Sequence, residues 1–327
     1  MQAATAALIH EMRPKILERK LRLQAAARSV SAEYVSDLLA EVDDTLRRIE
    51  DGSYGLCETC HDPIEAHRLE RNPFERFCLD HLTADELVAH EQDLTLATQI
   101  QARLLPARDI KTHTWETHYR YEPAGVVGGD YCEIVASGGD SLFFAVGDVT
   151  GKGVAASLLM THLSAIFRSL LSLDLPLTEV MTRANRLFCE STPATHYATL
   201  VAGRAAENGV ELCNAGHCRP LVLRRGKTEQ VDSSGLPLGL FCEGRYTIRQ
   251  IQLEAGDSLV LYSDGITEAQ DSAGDTFDED RLVHSVENCR EHDAMALANN
   301  ILIEVAGFRD GRSAQDDMTL LIVRRLA

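Results

Sequence analysis

Phe143-Phe144-Ala145-Val146-Gly147-Asp148-Val149-Thr150-Gly151-Lys152-Gly153 is the stretch on which the reading turns. It opens with an unbroken apolar run, the mark of a buried strand, and Gly147-Asp148 end that run with a carboxylate beside a glycine. Leu259-Val260-Leu261-Tyr262-Ser263-Asp264-Gly265 repeats the pattern. Gly128-Gly129-Asp130 and Asp316-Asp317-Met318-Thr319 add further acidic turns. A single Asp-Gly pair is commonly a plain turn. Several beside strands whose ends can meet at one sheet edge read differently, because convergent carboxylates repel strongly unless a cation lies among them. Hard divalent ions that take oxygen ligands, such as Mg2+ or Mn2+, meet that need.

Two nucleotide-binding readings of Gly147 to Gly153 fail. A P-loop needs four residues between its glycines and then Gly-Lys-Ser/Thr, whereas here the spacing is three and Gly153 follows the lysine. Gly151-x-Gly153-x-x-Ala156 imitates a dinucleotide fingerprint, but its strand ends on Asp148 and no βαβ unit follows.

The surrounding chain changes character twice. Up to about residue 50 it reads as helix, with Pro14 its single proline. Val35, Leu38, Leu39, Val42, Leu46 and Ile49 form one apolar stripe at helical spacing, with Ser31 as the N-cap; about Ile9 to Ala27 is expected to fold back as a second helix. Residues 51–83 crowd Gly, Pro, His and Cys together. Helix returns from Ala84 to Leu105, where Leu87, Leu94, Ala97 and Leu104 make a linker that either dimerises or packs on its neighbour, and Pro106 ends it. Beyond residue 110, short β-rich runs (Leu142–Val146, Ala198–Ala202, Leu221–Leu223, Ser258–Tyr262, Thr319–Val323) alternate with Gly/Asp turns. Helical stretches are expected around Ala155–Leu173, Leu177–Cys189 and Ala294–Ala306. Strands in runs with grouped helices predict an α+β fold. The expected division is 1–83, 84–108 and 109–327.

Cys57-Glu58-Thr59-Cys60 and, after seventeen residues, Cys78-Leu79-Asp80-His81 give C-x2-C…C-x2-H. Two tight pairs of soft ligands joined by a loop are what a tetrahedral Zn2+ site requires. His61 and His67 compete with His81 as the fourth ligand but lie outside the paired pattern. The run from Leu39 to Leu82, including Leu46-Arg47-Arg48-Ile49-Glu50-Asp51-Gly52, Tyr54-Gly55-Leu56-Cys57, Ile64, Arg68-Leu69-Glu70, Pro73 and Cys78, resembles the DksA/TraR zinc-finger family. That family commonly has four cysteines, so His81 is a departure. Its polymerase-acting members carry acidic residues at a coiled-coil tip, which the expected tip here, Arg28 to Ser31, does not.

From about Leu96 to Val323 the chain resembles the SpoIIE/RsbU branch of the PPM (PP2C-like) serine/threonine phosphatases. The motifs are Ala97-Thr98-Gln99-Ile100-Gln101, Leu104-Leu105-Pro106, Val127-Gly128-Gly129-Asp130-Tyr131, Gly147-Asp148 through Gly153, Asn214-Ala215-Gly216-His217, Pro237-Leu238-Gly239, Tyr262-Ser263-Asp264-Gly265-Ile266-Thr267-Glu268 and Asp316-Asp317-Met318-Thr319, in family order. The resemblance implies two stacked antiparallel sheets flanked by helices. It implies two Mn2+ or Mg2+ ions bridged by Asp148, with the Val149 carbonyl on one, Asp264 and Asp316 on the other, and Asp130 acting directly or through water. Asp317 is read as setting the turn, and the sequence leaves the reverse assignment of Asp316 and Asp317 open. The implied catalytic set is Asp148, Asp264 and Asp316, holding a bridging hydroxide that attacks phosphorus without a covalent enzyme intermediate. Implied substrates are phosphorylated anti-sigma-factor antagonists.

With no nucleophile needed, Cys132, Cys189, Cys213, Cys218, Cys242 and Cys289 read as buried small apolar residues. His217 is either a general acid or, more simply, part of a turn. The alternative reading is a zinc-finger regulator of RNA polymerase carrying an inert phosphatase-like scaffold. Over 327 residues, 32 Lys+Arg against 50 Asp+Glu give a net charge of -18, which argues against nucleic acid as a partner. The apolar runs fall short of a membrane span, and the N-terminus lacks a signal-peptide layout, so a cytoplasmic protein is expected.

Overall fold

The computed structural model describes residues 2–26, 32–65, 68–69, 72–81, 84–137, 140–289 and 293–326. The chain forms two compact units, Met1–Asp93 and Leu94–Ala327. In the first, helices α1 (Gln2–Ala26) and α2 (Ala32–Asp51) pack on each other. Met12 and Ile16 of α1 and Val42 of α2 join Tyr54, Ile64, Leu69 and Phe74 around Cys57 and Cys78. Ser31, the expected N-cap, the rest of the Arg28–Ser31 tip and His67 lie outside the described residues. The boundary between the units falls within α3 (Ala84–Leu104), the expected linker helix.

The second unit contains strands β1 (Asp109–Lys111), β2 (Trp115–Glu122), β3 (Asp130–Ser137) and β4 (Ser141–Val149), then helices α4 (Gly153–Leu171) and α5 (Leu177–Ser191). β5 (Ala198–Ala206), β6 (Gly209–Ala215), β7 (Leu221–Arg224), β8 (Lys227–Gln230), β9 (Arg249–Ile251) and β10 (Ser258–Tyr262) follow. The chain closes with α6 (Asp264–Thr267), α7 (Asp278–Asn288), α8 (Ala294–Arg309) and β11 (Met318–Arg325). One sheet runs β1-β2-β11-β10-β7-β8 and the other β3-β4-β5-β6-β9, with antiparallel pairing throughout.

Successive side chains of a strand point to opposite faces, and here both faces are buried. Along β4, Leu142, Phe144 and Val146 meet Trp115, Leu259, Leu261, Leu321 and Val323 of the other sheet, while Phe143 and Ala145 meet α4 and α5 through Met160, Phe167 and Val180. Along β10, Leu259 and Leu261 face the sheet–sheet core, and Val260 and Tyr262 face α7 and α8 through Leu282, Val286, Leu297 and Ile301. Burial on both sides is why these strands read as unbroken apolar runs. The expected pair of stacked antiparallel sheets flanked by helices is thus present.

Two expectations change. α4 is long and apolar enough, by length and composition, to cross a membrane. Its Ala156, Met160, Leu163, Phe167 and Leu170 are instead packed in the core. Cys189 and Cys242 are not independent apolar residues: they form a disulfide that ties the last turn of α5 to the segment after Leu238. Folding brings these positions to a Cα–Cα distance of 5.4 Å, a span a disulfide bridges, although 53 residues separate them in sequence. Cys132 and Cys213 are buried as expected, whereas Cys218 and Cys289 are only partly so.

Candidate functional site

One end of the two-sheet unit gathers the acidic turns. Asp130 opens β3 directly opposite Asp148 near the end of β4, so both side chains leave the same face of that sheet. In the other sheet Tyr262 pairs with Leu320, and the Ser263 amide donates to the Thr319 carbonyl (3.0 Å); Asp264 therefore begins α6 beside the Asp316-Asp317 turn.

Asp130 joins the sheets. Its buried Oδ2 accepts from Ser263 Oγ (2.7 Å) and Thr319 Oγ1 (2.6 Å), both in the opposite sheet's segments. Burial drives its carboxyl well above the ordinary range, aided by the charges of Asp148 and Asp317 and opposed by those two hydroxyls. Asp148 is pushed up to about 7, by burial first and then by Asp264, Asp316 and Asp317. Burial and the Asp316 charge raise Asp264 as well. Carboxylates from separate segments therefore crowd one another electrostatically. They do not close as tightly as the cysteine cluster described below, as expected of like charges facing each other directly.

Asp316 and Asp317 do different work. The Asp317 carboxylate is buried and occupied: Oδ1 accepts from the Ala124 amide (2.8 Å) and Oδ2 from the Gly129 amide (2.6 Å). A Cβ on Gly128 would overlap that carboxylate, and one on Gly265 would overlap the Asp317 carbonyl, so glycine is required at both places. Asp316 is 40% exposed, faces the site, and pairs with Lys152 Nζ at 2.8 Å. The donor set of Asp148, Asp264 and Asp316, with Asp130 behind it and the Val149 carbonyl against Gly129, is all hard oxygen and fits Mn2+ or Mg2+.

His217 is buried. Its amide donates to Asn214 Oδ1 (2.8 Å), its Nδ1 lies 2.8 Å from Thr199 Oγ1, and burial lowers its pKa to about 4. The Tyr262 backbone lies beside the ring, but Nε2 has no hydrogen bond of good geometry. A neutral, enclosed imidazole suits the turn role and not that of a proton donor at neutral pH.

Several supports of the site come from contacts between distant segments. Gln101 of α3 is buried and bonds Gly128 in both directions: Nε2 donates to its carbonyl (2.8 Å) and Oε1 accepts from its amide (3.2 Å). Arg168 donates to buried Glu133 (2.8 Å) and to the Leu104 carbonyl at the end of α3 (2.6 Å). Gln101 stands in the linker motif quoted from the sequence, but its pairing with Gly128, 27 residues on, is a contact that no local pattern shows.

In the first unit, the ligand atoms of Cys57, Cys60, Cys78 and His81 all lie within 4.8 Å of one another, the only such set among the described residues. Cys78 Sγ is 3.7 Å from Cys60 Sγ and 3.3 Å from His81 Nδ1. Burial opposes ionisation of Cys57, yet the backbone amides of Cys60, Cys78 and Thr59 outweigh it and hold the thiol below its usual range. Three soft sulfurs and an imidazole fit Zn2+. His61 is exposed and outside the set.

The DksA/TraR C4-type zinc-finger family matches residues 52–80, and the Stage II sporulation protein E (SpoIIE) family matches residues 138–326. Protein IcfG of Synechocystis sp. is 26% identical over 267 residues, covering 71% of this chain and 41% of IcfG, so the chain spans about two-fifths of that relative's length. Phosphoserine phosphatase RsbU of Bacillus subtilis is 25% identical over 240 residues, covering 72% of this chain and 70% of RsbU. The SiaA-PP2C domain of Pseudomonas aeruginosa shares the fold with a TM-score of 0.64 at 17% identity, over 75% of this chain and 99% of that one. With the SpoIIE match covering more than half of the chain and the acidic turns gathered at one end of a PP2C-like double sheet, the protein belongs to the SpoIIE family and carries a DksA/TraR-type zinc finger ahead of its phosphatase fold.

Proposed function

We propose that this protein is a cytoplasmic protein serine/threonine phosphatase that depends on two Mn2+ or Mg2+ ions and acts on a phosphorylated anti-sigma-factor antagonist. Asp148, the Val149 carbonyl, Asp264 and Asp316 would hold the ions, with Asp130 contributing directly or through water. When bound, the ions would activate a water for attack on phosphorus at neutral pH and neutralise charge on the phosphoryl oxygens. Asp130 keeps the two sheet ends in register through Ser263 and Thr319, and Asp317 fixes the loop that carries Gly129. The observation that carries the reading is Asp148, a partly buried carboxylate under the combined charge of Asp264, Asp316 and Asp317. Such an arrangement is costly without cations and well matched to them.

Cys57, Cys60, Cys78 and His81 hold one Zn2+ in a module spanning 1–83. The linker, 84–108, transmits that module's input to the phosphatase domain, 109–327. Gln101 supports this route, since it grips Gly128 two residues before Asp130. Leu96 and Ile100 on the same helix are exposed, which suits a homodimer formed through the linker. The reading as a polymerase regulator with an inert scaffold is disfavoured by the complete acid set. Purified protein supplied with Mn2+ and a phosphoserine peptide tests the proposal: the parent chain turns over and Asp148→Asn does not. Equal turnover in the two would refute the assigned site.

A further inference from the structure

Lys152 occupies its place against local preference. It is the N-cap of α4, a position that favours Ser, Thr, Asp or Asn, and it makes no capping hydrogen bond. A cation there is also opposed by the positive end of the helix dipole. Where a residue breaks local rules with no gain in packing, function is the usual reason, and Lys152 is 68% exposed.

Its surroundings define the gain. Lys152 lines two cavities, of about 170 and 410 Å3, that share Gln315 and Asp316 on their walls. Its Nζ has two partners, Asp316 Oδ2 (2.8 Å) and the Gln315 carbonyl (3.0 Å). The other cation on these walls, Arg309, is committed to the Arg312 carbonyl (2.7 Å) and to Glu122 (3.4 Å). Otherwise the site is acidic, with Asp130, Asp148, Asp264, Asp316, Asp317 and Glu268, a field that repels a phosphate dianion.

We infer that Lys152 is a substrate-binding residue, whose ammonium leaves Asp316 once divalent cations take up that carboxylate and then holds a phosphoryl oxygen of the phosphoserine or phosphothreonine. The inference deepens the proposed phosphatase reading and rests on it. A four-carbon stem between Gly151 and Gly153 gives the ammonium room to change partners without moving the fold.

The test compares Lys152→Met, which keeps an unbranched apolar stem and removes the ammonium, with Lys152→Arg. It measures kcat and KM on a phosphoserine peptide, inhibition by inorganic phosphate, and Mn2+ affinity by calorimetry without substrate. Lys152→Met is expected to raise KM and the phosphate inhibition constant about tenfold, the equivalent of ~1.4 kcal/mol. Lys152→Arg recovers most of that loss. Mn2+ affinity in Lys152→Met stays equal or tightens, because a competitor for Asp316 is gone. An unchanged phosphate inhibition constant in an active Lys152→Met enzyme overturns the inference and leaves the phosphatase reading intact. A fall in Mn2+ affinity in Lys152→Met overturns it too, by assigning the lysine to the ion site. If the parent chain hydrolyses no phosphopeptide, the phosphatase reading fails and this inference fails with it.

Discussion

Replacing Asp317 by Asn separates holding the loop from holding a metal. The Asp317 carboxylate accepts from the Ala124 and Gly129 amides at 2.8 and 2.6 Å while buried. Hydrogen bonds to a charged group contribute ~1.5–3 kcal/mol each, and the neutral bond an Asn carbonyl keeps contributes about 1. The Asn amino group would face the second backbone amide, donor against donor. Against that loss, removing one negative charge relieves Asp148 and Asp130, whose carboxyls Asp317 pushes up. The repulsion relieved is smaller than two buried bonds, so a net destabilisation of about 2 kcal/mol is expected. For a domain of this size that lowers Tm by roughly 4–8 °C. Asp316→Asn loses a half-exposed pair with Lys152, worth about 0–1 kcal/mol, keeps an oxygen for the Asp317 amide and relieves Asp148 and Asp264, so it should melt almost unchanged in chelator. Calorimetric melting in EDTA and Mn2+ titration of both variants make the comparison. The account expects Asp317→Asn to melt early and still bind Mn2+, and Asp316→Asn to melt normally with much weaker Mn2+ binding. The opposite pairing of results would reverse the assignment of the two aspartates.

Three further outcomes follow from the geometry. Asp148 is pushed up to about 7 in the folded chain from its ordinary value of 3.8. Its contribution to stability is therefore fully present below pH 3.8 and is lost as pH rises towards and through about 7. Melting in EDTA should show stability falling across that window, with a flatter profile in Asp148→Asn; identical profiles would contradict it. At the zinc cluster, His81→Cys should retain the metal as a four-cysteine site, while His81→Ala should purify with less; equal zinc in His81→Ala would remove His81 from the ligand set. Gln101→Ala deletes both bonds to Gly128 and should lower kcat several-fold with Asp130 and its partners intact; unaltered kcat and Mn2+ affinity would sever the proposed link from α3 to the site.

What the sequence made legible, and what it hid, follows from where the information lies. Phe143 to Asp148 and Leu259 to Asp264 announce strands buried on both faces with carboxylates at their ends, because burial is written in the residues themselves. Cys57, Cys60, Cys78 and His81 are legible through spacing, because each knuckle is local. Contacts between distant segments are not written that way. Ser263 and Thr319 reach Asp130 only because β10 and β11 end beside β3. The Cys189–Cys242 pair depends on the segment after Leu238 returning to the end of α5. α7 (Asp278–Asn288) opens on Asp278-Glu279-Asp280, which hides a short helix whose buried face is just Leu282, Ser285 and Val286.

The proposed function requires aspartates from four separate stretches, Asp130, Asp148, Asp264 and Asp316, to hold two divalent cations. Titration calorimetry of the zinc-loaded chain with Mn2+ tests it most directly. The account predicts two Mn2+ bound per chain, with binding severely weakened in Asp148→Asn. Undiminished Mn2+ binding in Asp148→Asn, or no Mn2+ uptake by a parent chain that still hydrolyses phosphoserine, would contradict it.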